Sequence, residues 1–133
     1  MRDILFRGKD VESGKWLYGW VFGEKAKSII ELDTQYVSEE GVEAYYTSVV
    51  IPETVGQYTG LDDKNGVKIF EGDVVRYLNS IESGNGVVIF DTCAFLFNWI
   101  DIYETDSLLR YFQCSEELEV IGNIHDNQEL MGE

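Results

Sequence analysis

Along this chain apolar and polar positions alternate more often than they recur every three or four residues, so the pattern predicts strands rather than helices. Ile4–Arg7 reads as a first strand, with GKDVESGK as its turn. From Lys15 to Phe22, Trp16, Tyr18, Trp20 and Phe22 fall on alternate positions and share one face of a strand. Ser28–Leu32 is a short strand and Thr34–Gly41 a polar loop. Val42–Ile51 carries Tyr45, Tyr46, Val49, Val50 and Ile51, and Pro52 ends it because proline cannot donate to a ladder. Further on, Gly86–Asp91, Ala94–Ile100 and Leu118–Ile121 are strand-like. The segment SLLRYF, residues 107–112, fits a helical turn or a strand equally. Gln128–Met131 predicts a last helical turn behind Asn127 as its N-cap.

The densest punctuation lies in residues 51–75, IPETVGQYTGLDDKNGVKIFEGDVV, which hold the only proline and four glycines. Val55–Leu61 is extended, and Asp62 to Gly66 is turn chemistry, with Gly66 supplying a positive φ that a side chain resists. Val67–Phe70 returns as the partner strand. Glu71-Gly72-Asp73 breaks it as a bulge or a second tight turn, and Val74–Leu78 resumes. Two sharp bends so close together suit a short sheet that curls into a small barrel. The stretch therefore predicts scaffolding rather than a reactive loop. The expected fold is mainly β, in two small β subdomains, 1–52 and 53–133, with a soft boundary near Ile51–Val55.

Together, PETVGQYTGLDDKNGVKIFEGDVV, the preceding MRDILFRGKDVESGKWLYG and the following EVIGNIHDNQELM resemble the YopX family of phage and prophage proteins. The likeness is strong in the centre and at both ends, and loose over 23–50 and 79–116. Gln128 stands where the family pattern has proline, which bears only on the start of the last turn. The resemblance implies an all-β fold whose C-terminal part is an SH3-like barrel, and a phage-borne setting. It brings no catalytic residue.

Charge narrows the function. The 133 residues carry a formal net charge of −15. Residues 1–52 hold six Lys/Arg against nine Asp/Glu, and 53–133 hold four against sixteen. Within 1–30 the balance reverses, through Arg2, Arg7, Lys9, Lys15, Lys25 and Lys27. Such a field repels phosphate backbones and favours basic partners or solubility. Only Cys93 and Cys114 are present, too few for a disulfide framework, and a reducing, cytoplasmic setting is expected. The charged start is unlike a signal peptide, and the apolar run from Cys93 to Ile100 is too short to span a bilayer.

Candidate chemistry meets a plainer reading at each point. DDKNG resembles part of a calcium loop, but with Gly66 at the sixth position the first and twelfth fall on Leu61 and Gly72 where acids should ligate. His125, the only histidine, could pair with a cysteine as base and nucleophile. However, Cys93 opens an aromatic run and is expected in the core, and Cys114 lies among polar residues. Glu71 and Asp73 flank Gly72 and are expected to face solvent at a bend. Two cysteines and one histidine complete no zinc set, and no phosphate loop follows a strand. No catalytic, metal-binding or cofactor-binding residue is assigned, and no enzyme is expected.

Protein–protein association remains, in a self-associating phage accessory factor and with a host or phage partner also in view. Its contact surfaces are expected at exposed aromatics near Trp16–Trp20 and on the acidic C-terminal face. The basic 1–30 segment is complementary in sign to the acidic remainder, which it could meet within one subunit or between neighbours. The alternative is a nucleic-acid-binding factor using the basic N-terminal segment, with the aromatic stripe offering stacking faces. Against it stand the net charge and the tendency of a period-two aromatic stripe to form the inner face of a sheet.

Overall fold

The structure, a computed structural model, describes residues 4–23, 28–31, 36–44, 46–78, 83–91, 93–100, 107–108 and 117–131. Among these residues the regular structure is almost all strand, with short 3-10 turns at Pro52–Thr54 and Gln128–Met131. The chain divides into two compact units, one running to Gln57 and one from Tyr58 onward.

In the first unit, β1 (Phe6–Lys9), β2 (Trp16–Phe22), β3 (Ser28–Glu31) and β6 (Thr47–Val49) form an antiparallel sheet in the order β6-β3-β2-β1. On the other side of β1, Arg7 pairs with Gly56 and Phe6 with Gln57, the first two residues of β7 (Gly56–Asp62). The GKDVESGK turn forms as expected. The Asp10 carboxylate accepts from the Glu12 N–H at 3.1 Å and the Ser13 hydroxyl at 2.9 Å, and Gly14 takes a φ of +71°.

The segment 34–51 departs from the expected loop and single strand. Tyr36–Val37 (β4) and Glu43–Ala44 (β5) pair as a two-stranded ribbon, and β6 is a separate strand. The cause is a tight turn at Ser38–Gly41. The Ser38 N–H donates to the Val42 carbonyl at 2.8 Å, and Gly41 sits at φ +80°.

Past β6 the chain crosses to β1. Val50 bridges Asp10, the Ile51 N–H donates to the Lys9 carbonyl at 2.8 Å, and the Val11 N–H donates to the Val49 carbonyl at 3.1 Å. Val50 is wholly buried and packs so close to Gly8 that a Cβ there would lie 3.1 Å from it. At Pro52 the ladder is interrupted by a 3-10 turn, Pro52–Thr54. The buried Thr54 hydroxyl repairs the gap, accepting from the Lys9 N–H at 2.9 Å and donating to the Ile51 carbonyl at 2.6 Å.

In the second unit the rest of β7 pairs with β8 (Lys68–Phe70). An antiparallel sheet follows in the order β12-β11-β10-β9-β13. Here β9 is Asp73–Leu78, β10 Ser83–Asp91, β11 Ala94–Trp99, β12 Ser107–Leu108 and β13 Leu118–Asn123. Its core is Ile69, Val75, Tyr77, Val88, Phe97, Trp99 and Leu118, with Leu61, Phe95 and Val120 packed against it. Alternation accounts for the membership: on β11 Phe97 and Trp99 point inward and Asn98 outward, and on β9 Val75 and Tyr77 are buried while Arg76 is exposed.

The sheet is open. The SH3-like barrel that the resemblance implies requires closure, and among the described residues no pairing joins the end strands β12 and β13. Of SLLRYF, Ser107–Leu108 is strand and the other four residues lie outside the described set. Gln128–Met131 forms the expected turn, as a 3-10 helix. The Asn127 carbonyl starts it by accepting from Leu130 at 2.9 Å, but its side-chain oxygen turns back to the Asn123 N–H at 3.2 Å.

Candidate interaction face

Asp63 is only 3% exposed. Its Oδ1 accepts from the N–H groups of Asn65 at 2.8 Å and Val67 at 2.9 Å, and its Oδ2 accepts from the Val120 N–H on β13 at 2.9 Å. Gly66 closes the turn at φ +79°, donating to the Asp63 carbonyl at 3.0 Å. Three backbone donors occupy this carboxylate, which holds the β7–β8 turn and ties it to β13. Outside it, Lys64 and Glu119 form an exposed ion pair at 3.0 Å.

Asp73 is buried as well, against the expectation that Glu71 and Asp73 both face solvent. Its Oδ2 accepts from the Phe70 N–H at 2.7 Å across the Glu71-Gly72 turn. Gly72, at φ +92°, donates to the Val88 carbonyl at 2.8 Å and accepts from the Ile124 N–H at 2.9 Å. Asp73 thus satisfies a buried turn donor, and Asp63 holds two donors of an exposed turn together with one on β13.

Cys93 is exposed, not in the core. It lies between Asp91 and Ala94, which pair across the β10–β11 hairpin, and its φ of +64° is the left-handed geometry that two-residue hairpin loops demand. Cys114 lies outside the described residues. His125 sits half-buried in a turn where its N–H and that of Asp126 both donate to the Asn123 side-chain oxygen, each at 2.9 Å. Among the described residues no three His, Cys, Asp or Glu side chains gather in a metal-binding group.

The aromatic stripe of β2 is the site that emerges. Register fixes which residues share its face. Arg7 lies opposite Tyr18 and Lys9 opposite Trp16, while Phe22 lies opposite Ser28 and Ser28 opposite Val49. On the other face, Gly19 and Ile29 are buried, and Leu17 and Val21 are half-buried. The stripe is the outer face, with exposed aromatics where they were expected near Trp16–Trp20, and not the inner face that a period-two stripe more often forms. Tyr18 is 45% exposed, Trp20 44%, Phe22 43% and Val49 53%. The reason lies in the alternate set Leu17, Gly19 and Val21. It is apolar and shares the inward face with Ile29, the cross-strand partner of Val21, and so leaves the rings to the other face.

Electrostatics single out the same face. The Arg7 guanidinium lies 4.5 Å from the centre of the Trp16 ring and the Lys9 ammonium 5.6 Å, so both cations gather over one indole. A cation so placed is attracted by the ring quadrupole. Among the described outward positions of β1, β2, β3 and β6 there is no carboxylate. Arg7 is itself buried, and the exposed apolar part of the face is Tyr18, Trp20, Phe22 and Val49.

Sequence reasoning identified this stripe by its period and expected exposed aromatics near Trp16–Trp20, while the tendency of such a stripe to face inward pointed the other way. The signal that could have given its orientation is Leu17-x-Gly19-x-Val21, a second apolar set on the opposite face of the same strand.

Comparison with known proteins adds the following. A family model described as YopX protein matches residues 5–132. No curated protein matches the chain. Among solved structures, protein EF1440 from Enterococcus faecalis is similar, with a TM-score of 0.64 and 23% identity over 98% of this chain and 99% of that one. At that identity the likeness speaks for the fold.

Proposed function

The chain belongs to the YopX family, and we propose from that premise that it is a non-enzymatic interaction module which associates with copies of itself. The observation that carries this reading is the outward placement of Tyr18, Trp20 and Phe22 on a face without described carboxylates. Aromatic rings are the side chains that most often anchor protein interfaces. The phage accessory role and the cytoplasmic setting are part of the proposal, as is an SH3-like plan for the second unit. That plan is supported by short antiparallel strands linked through the tight turns at Asp63–Gly66 and Glu71–Gly72. No helix in the described residues is long and apolar enough to cross a membrane.

Size-exclusion chromatography with light scattering, at micromolar protein and at low and high salt, tests the association. Oligomers that persist at high salt are expected, and Trp20→Lys should dissociate them. A monomer at both salts refutes the reading.

Nucleic acid binding is the second reading, favoured by one observation: the rings are exposed, and Arg7 and Lys9 bring positive charge to one end of the stripe. Titration of labelled single-stranded DNA and RNA at low salt decides it. Saturable micromolar binding that weakens with added salt would reverse the order of the two readings.

A further inference from the structure

Of the chain's asparagines, only Asn65 and Asn85 are followed by glycine. In such a pair no side chain shields the glycine nitrogen, and the backbone there turns freely. That nitrogen can attack the asparagine side-chain carbonyl in water, so sequence alone gives the two pairs equal standing. The fold treats them differently. We propose that Asn65 is a site of spontaneous deamidation in the folded protein, while Asn85 is protected.

Asn65 and Gly66 are both exposed in the β7–β8 turn. The Asp63 carboxylate grips the N–H groups of Asn65 and Val67, at 2.8 and 2.9 Å, but not that of Gly66 between them. The Gly66 nitrogen is held by its bond to the Asp63 carbonyl at 3.0 Å. Turning it toward the Asn65 side chain opens bonds at an exposed turn, where water takes their place. Gly86 lies instead in the central strand of its sheet, buried, and pairs with Val75 on β9 and with Trp99 on β11. The Asn85 carbonyl accepts from the Ile100 N–H at 3.0 Å, and a Cβ at Gly86 would lie 2.5 Å from the Phe97 ring. The Gly86 nitrogen must leave a ladder bonded on both flanks, so it reacts only when that sheet opens.

The reaction balances with water as co-reactant. A bond forms from the Gly66 nitrogen to the Asn65 side-chain carbon. The bond from that carbon to Nδ2 breaks, and ammonia leaves with the Gly66 N–H proton. Water then opens the cyclic imide. Addition at the side-chain carbon gives aspartate at position 65. Addition at the backbone carbonyl carbon leaves the chain running through the side chain, as isoaspartate. Isoaspartate adds an atom to the backbone between the two N–H groups that Asp63 Oδ1 holds. Both bonds cannot keep their lengths, and the tie to β13 through Oδ2 and the Val120 N–H loosens with them. Either product also adds a negative charge beside Asp62 and Asp63.

The test incubates the full chain in mildly alkaline buffer at physiological temperature, folded and in guanidinium chloride, and maps its peptides by mass after digestion in acid. In the folded protein the peptide holding Asn65 should gain one dalton at least tenfold faster than the peptide holding Asn85, with isoaspartate among its products. In denaturant the two rates should converge. Folded protein in which Asn85 converts as fast as Asn65 overturns the proposal. So does an Asn65 that converts in denaturant but not in the folded chain, or in neither. Asn65→Ser, with folding confirmed by circular dichroism, should abolish the gain at that peptide. Its urea midpoint should hold through the incubation while the wild-type midpoint falls. An equal fall in both, or a wild-type midpoint unmoved by conversion, overturns the loosening of the turn.

Discussion

Replacing Asp63 by asparagine separates scaffolding from chemistry in the central stretch. The carboxylate is buried and accepts three backbone N–H bonds of 2.8–2.9 Å. An asparagine side chain of the same shape keeps one oxygen. Its best orientation leaves that oxygen on Asn65 and Val67, and then sets an NH2 group against the Val120 N–H. One bond becomes a donor–donor contact, and the other two lose their charge assistance. Bonds to an ionised group contribute ~1.5–3 kcal/mol each, about twice a neutral bond. Asp63→Asn should therefore cost about 2–4 kcal/mol, a large share of the ~5–15 kcal/mol that holds a typical domain together. Asp63→Ala removes all three bonds, but the Asn65 and Val67 donors lie at an exposed turn and can turn to water. The alanine variant should match the asparagine one to within about 1 kcal/mol, since only the Val120 donor stays poorly hydrated. Urea unfolding followed by tryptophan fluorescence reads this as a lowered midpoint at unchanged slope. Lys64→Ala is the control: it deletes an exposed pair at the same turn and should shift stability by no more than ~0.5 kcal/mol. If Asp63→Asn is neutral or stabilising, the carboxylate is not held for the fold, and a ligand-binding role for the turn returns.

Two further substitutions probe the backbone. Thr54→Val strands the Lys9 N–H behind an isosteric side chain and should cost ~1–2 kcal/mol in urea, whereas Thr54→Ser restores the hydroxyl and most of the loss. A Cβ at Gly86 would fall 2.5–2.8 Å from the fully buried Phe97 ring, so Gly86→Ala should cost ~1–3 kcal/mol. Pairing it with Phe97→Leu should yield less than the sum of the two losses in a double-mutant cycle, and strict additivity would show that the two groups do not meet.

What the sequence made legible follows the range of the interactions. The turns at Gly14, Gly66 and Gly72 were readable because their chemistry is local: a positive φ and an acid within four residues suffice. The strands of the second core were readable from alternation over a few residues. The tie between Asp63 and Val120 spans 57 positions, and no local pattern announces it. The inward face of β2 is set by Leu17, Gly19 and Val21, a local pattern, whereas the cover that Val50 gives Gly8 joins segments 42 positions apart. Cys93 was misplaced for a local reason. The flanking strands were read correctly, but their two-residue separation forces a loop, and a residue at φ +64° in such a loop points to solvent rather than into the core.

The sign of the salt dependence is where the structure alters the functional expectation most. Charge complementarity between the basic start and the acidic remainder implies an association that weakens as salt is added. The β2 face implies the reverse. Of the net −15, residues 1–57 contribute −4, from six Lys/Arg and ten Asp/Glu, and residues 58–133 contribute −11, from four and fifteen. Two such chains repel at long range, and the rings that hold them together are indifferent to screening. Added salt removes the repulsion and leaves the apolar contact intact. A dimer built on Tyr18, Trp20 and Phe22 should therefore tighten as salt rises from 0.02 to about 0.3 M, a range over which the Debye length falls from roughly 20 to 6 Å. One sedimentation series in salt thus distinguishes a dimer held by the aromatic face from one held by opposite charges.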